Sequence, residues 1–292
     1  MKKFTNTGYW ALILGGSGGI GFATAKKLAS EGMNLCIVHR DRRGDTKLVE
    51  TEFEAMRAQG IQLLSYNVDG ADKTAMQEVV ASLKEALPEG HRIRLLLHSI
   101  AKGNLKPMVA PIPKNIQLDN EALAASYNQL QQEIEKSQQS PTFLDSNDFQ
   151  LTLYNMALSL VDWVRLVFEN QLFAVDARVV GLSSEGNQKA WVNYAAVSAT
   201  KAALEAIVRS IALEYAPYGI RANILQAGVT DTRSLNLIPG AEMLKANAQF
   251  RNPFGRLTRP EDVANAVYLL CLDEAAWING AIIPVDGGER IT

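Results

Sequence analysis

A tyrosine and a lysine seven positions apart are the residues of this chain best suited to acid–base chemistry. Tyr194 and Lys201 lie at the beginning of an alanine-rich, apolar segment. An ammonium group near a tyrosine favours the phenolate, which lets the tyrosine polarise a carbonyl and handle its proton near neutral pH. Seven helical residues turn through about 700°, so both side chains would share one helix face. The spacing therefore predicts a phenol and an ammonium that act together.

The position one helical turn before the lysine is apolar. Many reductases place the tyrosine there, but this chain has Val197, and Tyr194 lies about 4.5 Å further along a helix. When an enoyl thioester is reduced, hydride reaches C3 while negative charge builds on the oxygen at C1, and C1 and C3 are about 2.5 Å apart. A displaced phenol suits that more remote oxyanion. The spacing therefore favours enoyl reduction over ketone reduction.

The composition excludes several classes of protein. With 292 residues, of which 47% are hydrophobic, the chain can bury a sizeable core. A net charge of −2 gives no basis for a nucleic-acid partner. Cys36 and Cys271 lie in apolar runs and are predicted to be reduced core residues. The first apolar run is too short for a signal peptide or a membrane span. We expect a soluble, cytoplasmic protein without a metal site, a membrane or a nucleic-acid partner.

Short apolar runs alternate with helical patterns along the whole chain. This order predicts an α/β fold, a Rossmann-type doubly wound sheet of about seven mainly parallel strands with helices on both faces, in a single domain over residues 1–292. The predicted strands are Trp10–Leu14, Leu35–Val38, Gln62–Tyr66, Ile93–His98, Arg178–Leu182, Arg221–Leu225 and Ala281–Val285. The predicted helices include Gly19–Glu31, Lys47–Gln59, Lys73–Leu87, Gln150–Asn170, Tyr194–Tyr215 and Glu261–Leu270.

Two segments interrupt this rhythm. Residues 104–148 contain several prolines and a glutamine-rich stretch, and they follow the fourth strand, where ligands bind in such folds. This insertion either borders the substrate site or is a surface excursion without function. Residues 233–252 are predicted to form a mobile substrate flap.

A glycine-rich loop follows the first predicted strand and opens the first predicted helix. Glycines permit the tight turn and let backbone amides approach a pyrophosphate at the positive end of a helix. In this position the loop predicts a dinucleotide site. Its predicted ligands are Gly15, Ser17, Gly18, Gly19, Ile20 and Gly21.

Basic residues follow the second strand. A carboxylate at this strand end would bind the ribose hydroxyls of NADH and repel a 2′-phosphate, whereas arginines suit phosphate oxygens. The basic cluster therefore predicts NADPH rather than NADH. The alternative is a solvated basic loop in which Asp41 is the ribose ligand. The predicted phosphate ligands are His39, Arg40, Arg42 and Arg43.

Other strand ends complete the predicted cofactor site. Asn67 and Val68 follow the third strand, where the adenine would lie, and Asp69 is predicted either to belong there or to cap the next helix. The remaining predicted cofactor contacts are Ser99, Ile100 and Ala101 after the fourth strand, and Gly228, Thr230 and Thr232 after the sixth.

These motifs together resemble the short-chain dehydrogenase/reductase family over nearly the whole chain. The glycine loop, the Asn67-Val68 turn, the segment 255–264 and the segment 285–288 all match the family pattern. The Tyr194-x6-Lys201 spacing and the segment 98–101 resemble the divergent branch that contains NADPH-dependent enoyl-acyl carrier protein reductases. Asn67 stands where most members have aspartate.

The resemblance implies an activity and a set of roles. The expected reaction is NADPH-dependent reduction of the 2,3 double bond of a 2-enoyl thioester, whose carrier is either acyl carrier protein or coenzyme A. Tyr194 would stabilise the enolate oxygen, while Lys201 would hold the nicotinamide ribose and support Tyr194. Ser184, which stands where some members have a second tyrosine, would assist the oxyanion or hydrogen-bond its own loop. Asn155 matches a helix asparagine that serves a water relay, or it is a helix-distorting or surface amide.

Two other functions are compatible with the same residues. One is a 3-oxoacyl or other carbonyl reductase, in which Ser184 and Tyr194 serve a nearer carbonyl. The other is a non-catalytic NADP-binding sensor, against which the tyrosine and lysine argue. The apolar helix after Tyr194, with Leu204, Ile207, Val208 and Ile211, has more apolar surface than one sheet face needs. It therefore predicts a homotetramer.

Overall fold

A seven-stranded sheet organises the chain. The computed structural model describes residues 2–42, 44–109 and 143–292. Every pairing in the sheet is parallel, and the strand order is β3-β2-β1-β4-β5-β6-β7. The predicted doubly wound fold is confirmed. The strands are β1 (Tyr9–Leu14), β2 (Asn34–His39), β3 (Leu63–Asn67), β4 (Arg92–His98), β5 (Phe173–Ser184), β6 (Ile220–Ala227) and β7 (Ile282–Val285).

Helices cover both faces of the sheet. A π-helical turn, Tyr154–Leu158, joins two helices that the sequence predicted as one, and Ala241–Arg251 is a helix that the sequence analysis did not predict. The described helices are α1 (Gly19–Ser30), α2 (Thr46–Arg57), α3 (Lys73–Ala86), α4 (Ser146–Leu153), α5 (Ser159–Glu169), α6 (Ala195–Glu214), α7 (Ala241–Arg251) and α8 (Pro260–Cys271).

The side chains of β1 alternate between two hydrophobic cores. Leu12 and Leu14 belong to the core under α3, α5 and α6, whereas Ala11 and Ile13 belong to the core under α1, α2 and α8. This alternation is the period-two geometry of a strand buried on both faces. It anchors the strand from which the glycine loop emerges.

The interior residues of α6 pack within this chain. Leu204, Val208 and Ile211 are buried in the core beside the sheet. These three side chains are therefore used within the chain, whereas Leu213 on the same helix is exposed and Ile207 is half-buried. The exposed side of α6 also carries Ala199, Ala202 and Ala206.

The helical segment from α4 to α5 contains a long apolar stretch. By length and composition alone, this segment would suit a membrane span, since an 18-residue window within residues 146–169 has a mean hydropathy of 1.3. Half of that apolar window is buried inside the protein. Such burial is what a core helix requires.

The described ends of the predicted insertion meet beside α4. The Leu144 amide donates to the Pro107 carbonyl at 2.9 Å, and Lys106 Nζ lies 2.8 Å from both carboxylate oxygens of Asp148. Asn104 also donates to Asp148 at 2.8 Å. The chain therefore leaves and re-enters at one place. Residues 110–142, most of the insertion, lie outside the described residues.

Candidate active site

A cavity of about 1060 Å³ opens at the carboxyl ends of the strands. It lies where the strand order reverses between β1 and β4, the place at which ligands bind in doubly wound sheets. The Ser99 amide donates to the Leu14 carbonyl at 2.9 Å and so joins the two strand ends. The predicted site residues that line the cavity are Gly15, Ser17, Gly18, Gly19, Ile20, His39, Arg40, Arg42, Val68, Ser99, Ile100, Ala101, Ser184, Tyr194, Lys201, Gly228, Thr230 and Thr232.

The glycine loop has the shape that a pyrophosphate requires. A Cβ at Gly21 would lie 2.2 Å from the Gly15 carbonyl oxygen, and one at Gly15 would lie 2.7 Å from the Ser99 carbonyl oxygen. Gly21 therefore closes the turn from behind and is not among the cavity-lining residues. In the described structure, neither the N-cap residue Gly18 nor an acidic side chain covers the first turn of α1. These open amides fit the pyrophosphate of a dinucleotide.

The end of β2 carries a carboxylate as well as cations. His39 is buried and its Nδ1 lies 2.6 Å from Asp41 Oδ2, while its ring packs edge-on against Phe53. Asp41 lines the cavity together with Arg40 and Arg42. The strand end thus presents both a carboxylate, which would bind the ribose hydroxyls of NADH, and arginines, which would bind the 2′-phosphate of NADPH. Arg43 lies outside the described residues.

Asn67 does not reach the cavity as predicted. Its Oδ1 accepts from the Asp41 amide at 2.9 Å, and its Nδ2 donates to the Asp41 carbonyl at 3.2 Å. Both ends of the amide bond to the Asp41 backbone, so Asn67 fixes the loop after β2 that carries cavity-lining residues. Val68 does line the cavity.

Asp69 belongs to the pocket and is not the helix cap. The N-cap of α3 is Asp72, whose side chain accepts from the Ala75 amide. Asp69 Oδ2 instead lies 3.1 Å from Arg40 Nη1 and 2.8 Å from Lys102 Nζ. Burial raises the pKa of Asp69, but the bonds from Lys102 and Ala71 and the nearby cations hold it below its usual value. Two cations and a carboxylate therefore flank the adenosine end of the cavity.

Tyr194 is the N-cap of α6 rather than its first helical residue, which corrects the predicted helix start. The turn before the helix therefore sets the position of the phenol. Burial raises the pKa of Tyr194, and the neighbouring Ser184 hydroxyl opposes that rise. The phenol is consequently the stable form, and it can donate a hydrogen bond to a developing oxyanion.

Lys201 is held by backbone. Its Nζ donates to the Leu182 carbonyl at 2.7 Å. Burial lowers the pKa of Lys201 to about 8, and the Glu205 carboxylate opposes that effect. The ammonium therefore predominates at neutral pH. A hydroxyl of a bound ribose and the phenol of Tyr194 are the partners that this charge would serve.

Two buried polar atoms beside Tyr194 have no hydrogen-bond partner among the described residues. They are Ser184 Oγ and Asn193 Oδ1. Ser184 is near enough to Tyr194 to affect its pKa but lies outside regular hydrogen-bond geometry. Asn193, which the sequence analysis missed, has a φ of 65°, a conformation that asparagine tolerates better than most residues. Unpartnered buried atoms are rare, and here they border the cavity.

Asn155 lies behind the cavity, within the π-helical turn. Its Nδ2 donates to the Lys102 carbonyl at 3.3 Å, and its own carbonyl accepts from Ser159 Oγ at 2.9 Å. Ser159 also contacts His98 Nε2 at 2.9 Å. Burial, followed by the charge of Lys201, lowers the pKa of His98 to about 3, so His98 is neutral. A π turn often marks a functional site, but here Asn155 contacts backbone.

The loop after β6 faces the glycine loop across the cavity. Thr232 Oγ1 accepts from the Leu235 amide at 3.3 Å, and its methyl group would lie 3.3 Å from a Cβ at Gly19. Thr230 Oγ1 donates to the Gly228 carbonyl at 2.9 Å. The two threonines therefore hold the loop in place where it borders the cavity.

The predicted flap contributes apolar walls. Its short turn Leu235–Leu237 and the beginning of α7 line the cavity, and Arg251 at the end of α7 bonds to Glu185 at 2.5 Å. Several apolar lining residues were not predicted individually from the sequence, because their types alone do not distinguish them from core residues. They are Leu105, Met156, Trp191, Val192, Met243 and Leu244.

Family models match both parts of the chain. A model described as enoyl-(acyl carrier protein) reductase matches residues 132–289, and one described as short chain dehydrogenase matches residues 9–110. The chain therefore belongs to the short-chain dehydrogenase/reductase family. It is an oxidoreductase of a family that binds NAD(P)H.

Similar proteins catalyse different reactions. Cis-4-hydroxycyclohexanecarboxylate dehydrogenase from Sinomonas cyclohexanicum is 28% identical over 95% of each chain. 1-cyclohexenylcarbonyl-CoA reductase from Streptomyces collinus is 36% identical over 39% of this chain and 41% of that protein. The crystal structure of enoyl-[acyl-carrier-protein] reductase (NADH) from Aquifex aeolicus VF5 has a TM-score of 0.75 at 23% identity, covering 98% of this chain and 97% of that one. The last likeness shows the fold.

Proposed function

We propose that this protein reduces the 2,3 double bond of a 2-enoyl thioester with NADPH. The proposal rests on where the valine and the tyrosine stand relative to Lys201 on α6. Val197 occupies the place one turn before Lys201, is only 4% exposed, and lines the cavity. The phenol projects from the residue before the helix, where it suits an oxyanion that is separated from the carbon receiving hydride.

The residues would divide the work as follows. A reduced nicotinamide held at this site would supply hydride for C3 of the substrate. Tyr194 donates its hydrogen bond to the thioester oxygen as the enolate forms, and Ser184 Oγ can turn toward the same oxygen. Lys201 presents its ammonium to the nicotinamide ribose. Transfer of a proton from water to C2 of the enolate would complete the reduction.

Several properties of the ligands are part of the same proposal. Arg40 and Arg42 favour NADPH, whereas the presence of Asp41 in the cavity favours NADH. The chain's reductase relative from Streptomyces acts on a coenzyme A ester by its name, so coenzyme A and acyl carrier protein are both candidate carriers. The predicted insertion would border the acyl chain, because Gly103 and Leu105 at its base line the cavity.

A direct assay separates the proposed reaction from ketone reduction. NADPH oxidation would be followed at 340 nm with crotonyl-coenzyme A and with acetoacetyl-coenzyme A under equal conditions. We expect turnover of the crotonyl ester with kcat/KM at least about tenfold above that for the acetoacetyl ester, because the phenol is placed for the remote oxyanion. Faster reduction of the acetoacetyl ester would contradict the proposal.

Carbonyl reduction is the second candidate. Ser184 and Tyr194 lie close together beside Lys201, an arrangement that could also polarise a ketone adjacent to the nicotinamide. The dehydrogenase relative from Sinomonas is in keeping with this alternative. The acetoacetyl arm of the assay tests it.

A homotetramer in the cytoplasm is the proposed state of the protein. Leu151, Leu158 and Val161 on the α4–α5 segment are exposed, and the outer side of α6 offers small alanines for close helix packing. Light scattering at micromolar concentration would show four subunits. A monomer would contradict this assembly without affecting the proposed reaction.

A further inference from the structure

A buried polar network lies behind Lys201. Glu205, one helical turn beyond the lysine on α6, is only 6% exposed. Its Oε1 accepts from Ser183 Oγ at 2.6 Å and from Asn187 Nδ2 at 2.7 Å. Gln226 Nε2 on β6 donates to Asn187 Oδ1 at 3.3 Å. Glu205 therefore joins α6 to the end of β5 and to the turn that follows β5.

This network surrounds a residue of the cavity wall. Ser183 and Asn187 stand on either side of Ser184 and Glu185, so the two hydrogen bonds to Glu205 fix the turn that carries the Ser184 hydroxyl. Burying a carboxylate is costly unless hydrogen bonds and a nearby cation compensate it. Glu205 is not among the cavity-lining residues, so contact with a ligand does not explain its burial.

Few other charges act on Lys201. From β4, His98 faces it as a neutral imidazole, and from the start of α6, Tyr194 is a neutral phenol. Glu185, after β5, is engaged by Arg251 at 2.5 Å and by Lys189 at 2.8 Å. Among the described residues, Glu205 is the carboxylate that raises the pKa of Lys201.

We propose that Glu205 is a positioning residue of this active site. It fixes the Ser184 turn through Ser183 and Asn187, and its charge keeps Lys201 in the ammonium form that binds the cofactor ribose. The part that concerns catalysis rests on the proposed enoyl reduction, whereas the part that concerns Lys201 applies to any NAD(P)H-dependent reaction at this site.

The chain offers variants that separate charge from hydrogen bonding. Both bonds to Glu205 end on one oxygen, so Glu205→Gln can keep them while it removes the charge. Glu205→Asp keeps the charge, and Glu205→Ala removes both features. Glu214→Gln, at an exposed position on the same helix, is the matched control.

Two pH profiles test the inference. The first is kcat/KM for crotonyl-coenzyme A from pH 6 to 9.5, and the second is the dissociation constant of NADPH from fluorescence titration over the same range. The unaltered protein should lose activity and affinity as pH rises through about 8, where Lys201 loses its proton. In Glu205→Gln both losses should move to lower pH, so that kcat/KM falls about threefold at pH 8 and by less than about twofold at pH 6.5.

The remaining three variants should behave differently from Glu205→Gln. Glu205→Asp and Glu214→Gln should keep the midpoint of the unaltered protein, and Glu205→Ala should lower kcat at every pH because the Ser184 turn loses its anchor. Midpoints in Glu205→Gln that coincide with those of the control would overturn the inference. If that variant does not fold, a midpoint shift in Glu205→Asp would overturn it equally.

The two readouts also distinguish this inference from the proposed function. Failure of the unaltered protein to reduce crotonyl-coenzyme A, together with a shifted NADPH profile in Glu205→Gln, would refute enoyl reduction and support the role of Glu205. Turnover without any shift in either profile would refute the role of Glu205 alone.

Discussion

The two ends of the central strands both contain buried charge, but they treat it differently. At the amino-terminal end, Arg94 and Arg178 are each 1% exposed and converge with Arg221 on Asp176. Arg94 also bonds to Asp273 at 2.7 Å, and the arginines donate to the last carbonyls of α8. At the carboxyl end, Lys201 meets only a backbone carbonyl at hydrogen-bond distance among the described residues.

The difference indicates which end is built for a ligand. At the amino-terminal end, the charges are paired and the arginine donors have acceptors. This cluster therefore serves to hold α8 against the sheet. At the carboxyl end, the half-buried Lys201 is accompanied by two buried polar atoms, those of Ser184 and Asn193, that have no partner within the described part of the chain. Groups of this kind cluster where a ligand completes the bonding.

Removing the Tyr194 hydroxyl should have the largest effect. Tyr194→Phe deletes the oxyanion donor, so kcat for crotonyl-coenzyme A should fall by about 10²-fold or more, while NADPH affinity and melting temperature stay close to those of the unaltered protein. Steady-state kinetics and thermal melts would measure this. Tyr215→Phe, at the far end of α6, is the control.

A double variant tests the meaning of the spacing. Tyr194→Phe with Val197→Tyr restores the phenol one turn before Lys201, and it should not recover enoyl reduction. Full activity of the single Tyr194→Phe variant would refute the assignment of the phenol.

Breaking the charge cluster at the amino-terminal end of the strands should lower the stability of the protein without weakening cofactor binding. Asp176→Asn leaves three guanidinium groups without their shared carboxylate, so the free energy of unfolding should fall by about 2–4 kcal/mol. Denaturant titration would measure the loss, and NADPH affinity of the folded protein should be unchanged. Asp273→Asn, whose side chain is 88% exposed, should cost less than about 1 kcal/mol. Equal losses in the two variants would show that burial does not matter here.

The arginines after β2 should discriminate between the cofactors. Replacing Arg40 and Arg42 by alanine should weaken NADPH binding by about tenfold and NADH binding by less than about twofold, because a guanidinium acts on the 2′-phosphate alone. Fluorescence titration would measure both constants, with Arg92→Ala at the opposite end of the sheet as control. Equal affinity of the unaltered protein for the two cofactors would favour Asp41 as the ribose ligand.

The partial desolvation of Lys201 should cost the protein stability. The pKa of Lys201 falls from 10.5 to about 8 on folding, so the unfolded chain binds more protons between these values and stability rises with pH across that window. Below pH 8 the penalty is fully present. Lys201→Met should therefore raise the melting temperature at pH 7 by about 2–4 °C, with the gain shrinking as pH rises from 8 to 10.5. Lys47→Met, at an exposed position, should show no such pH dependence. A gain that is constant with pH would contradict the assignment.

The sequence by itself determined the sheet, the glycine loop and the family. Apolar runs of strand length, and a glycine-rich loop between a strand and a helix, are local patterns that leave few alternatives. The parallel pairing of the strands also follows from the sequence, because a helical crossover separates successive strands.

Only the tertiary structure decided which polar side chains face the cavity. Asn67 and Asn155 stand at the predicted places in the chain, yet both bond to backbone behind the site. Asn193 and Glu205 carry no local signal, because an orphaned amide and a buried carboxylate are defined by neighbours that are distant in sequence. Burial and hydrogen bonding are properties of packed elements. The periodicity of apolar residues in the sequence therefore predicts a helix or a strand. The protonation state and the hydrogen-bond partners of its side chains depend on the residues that the tertiary structure places beside them.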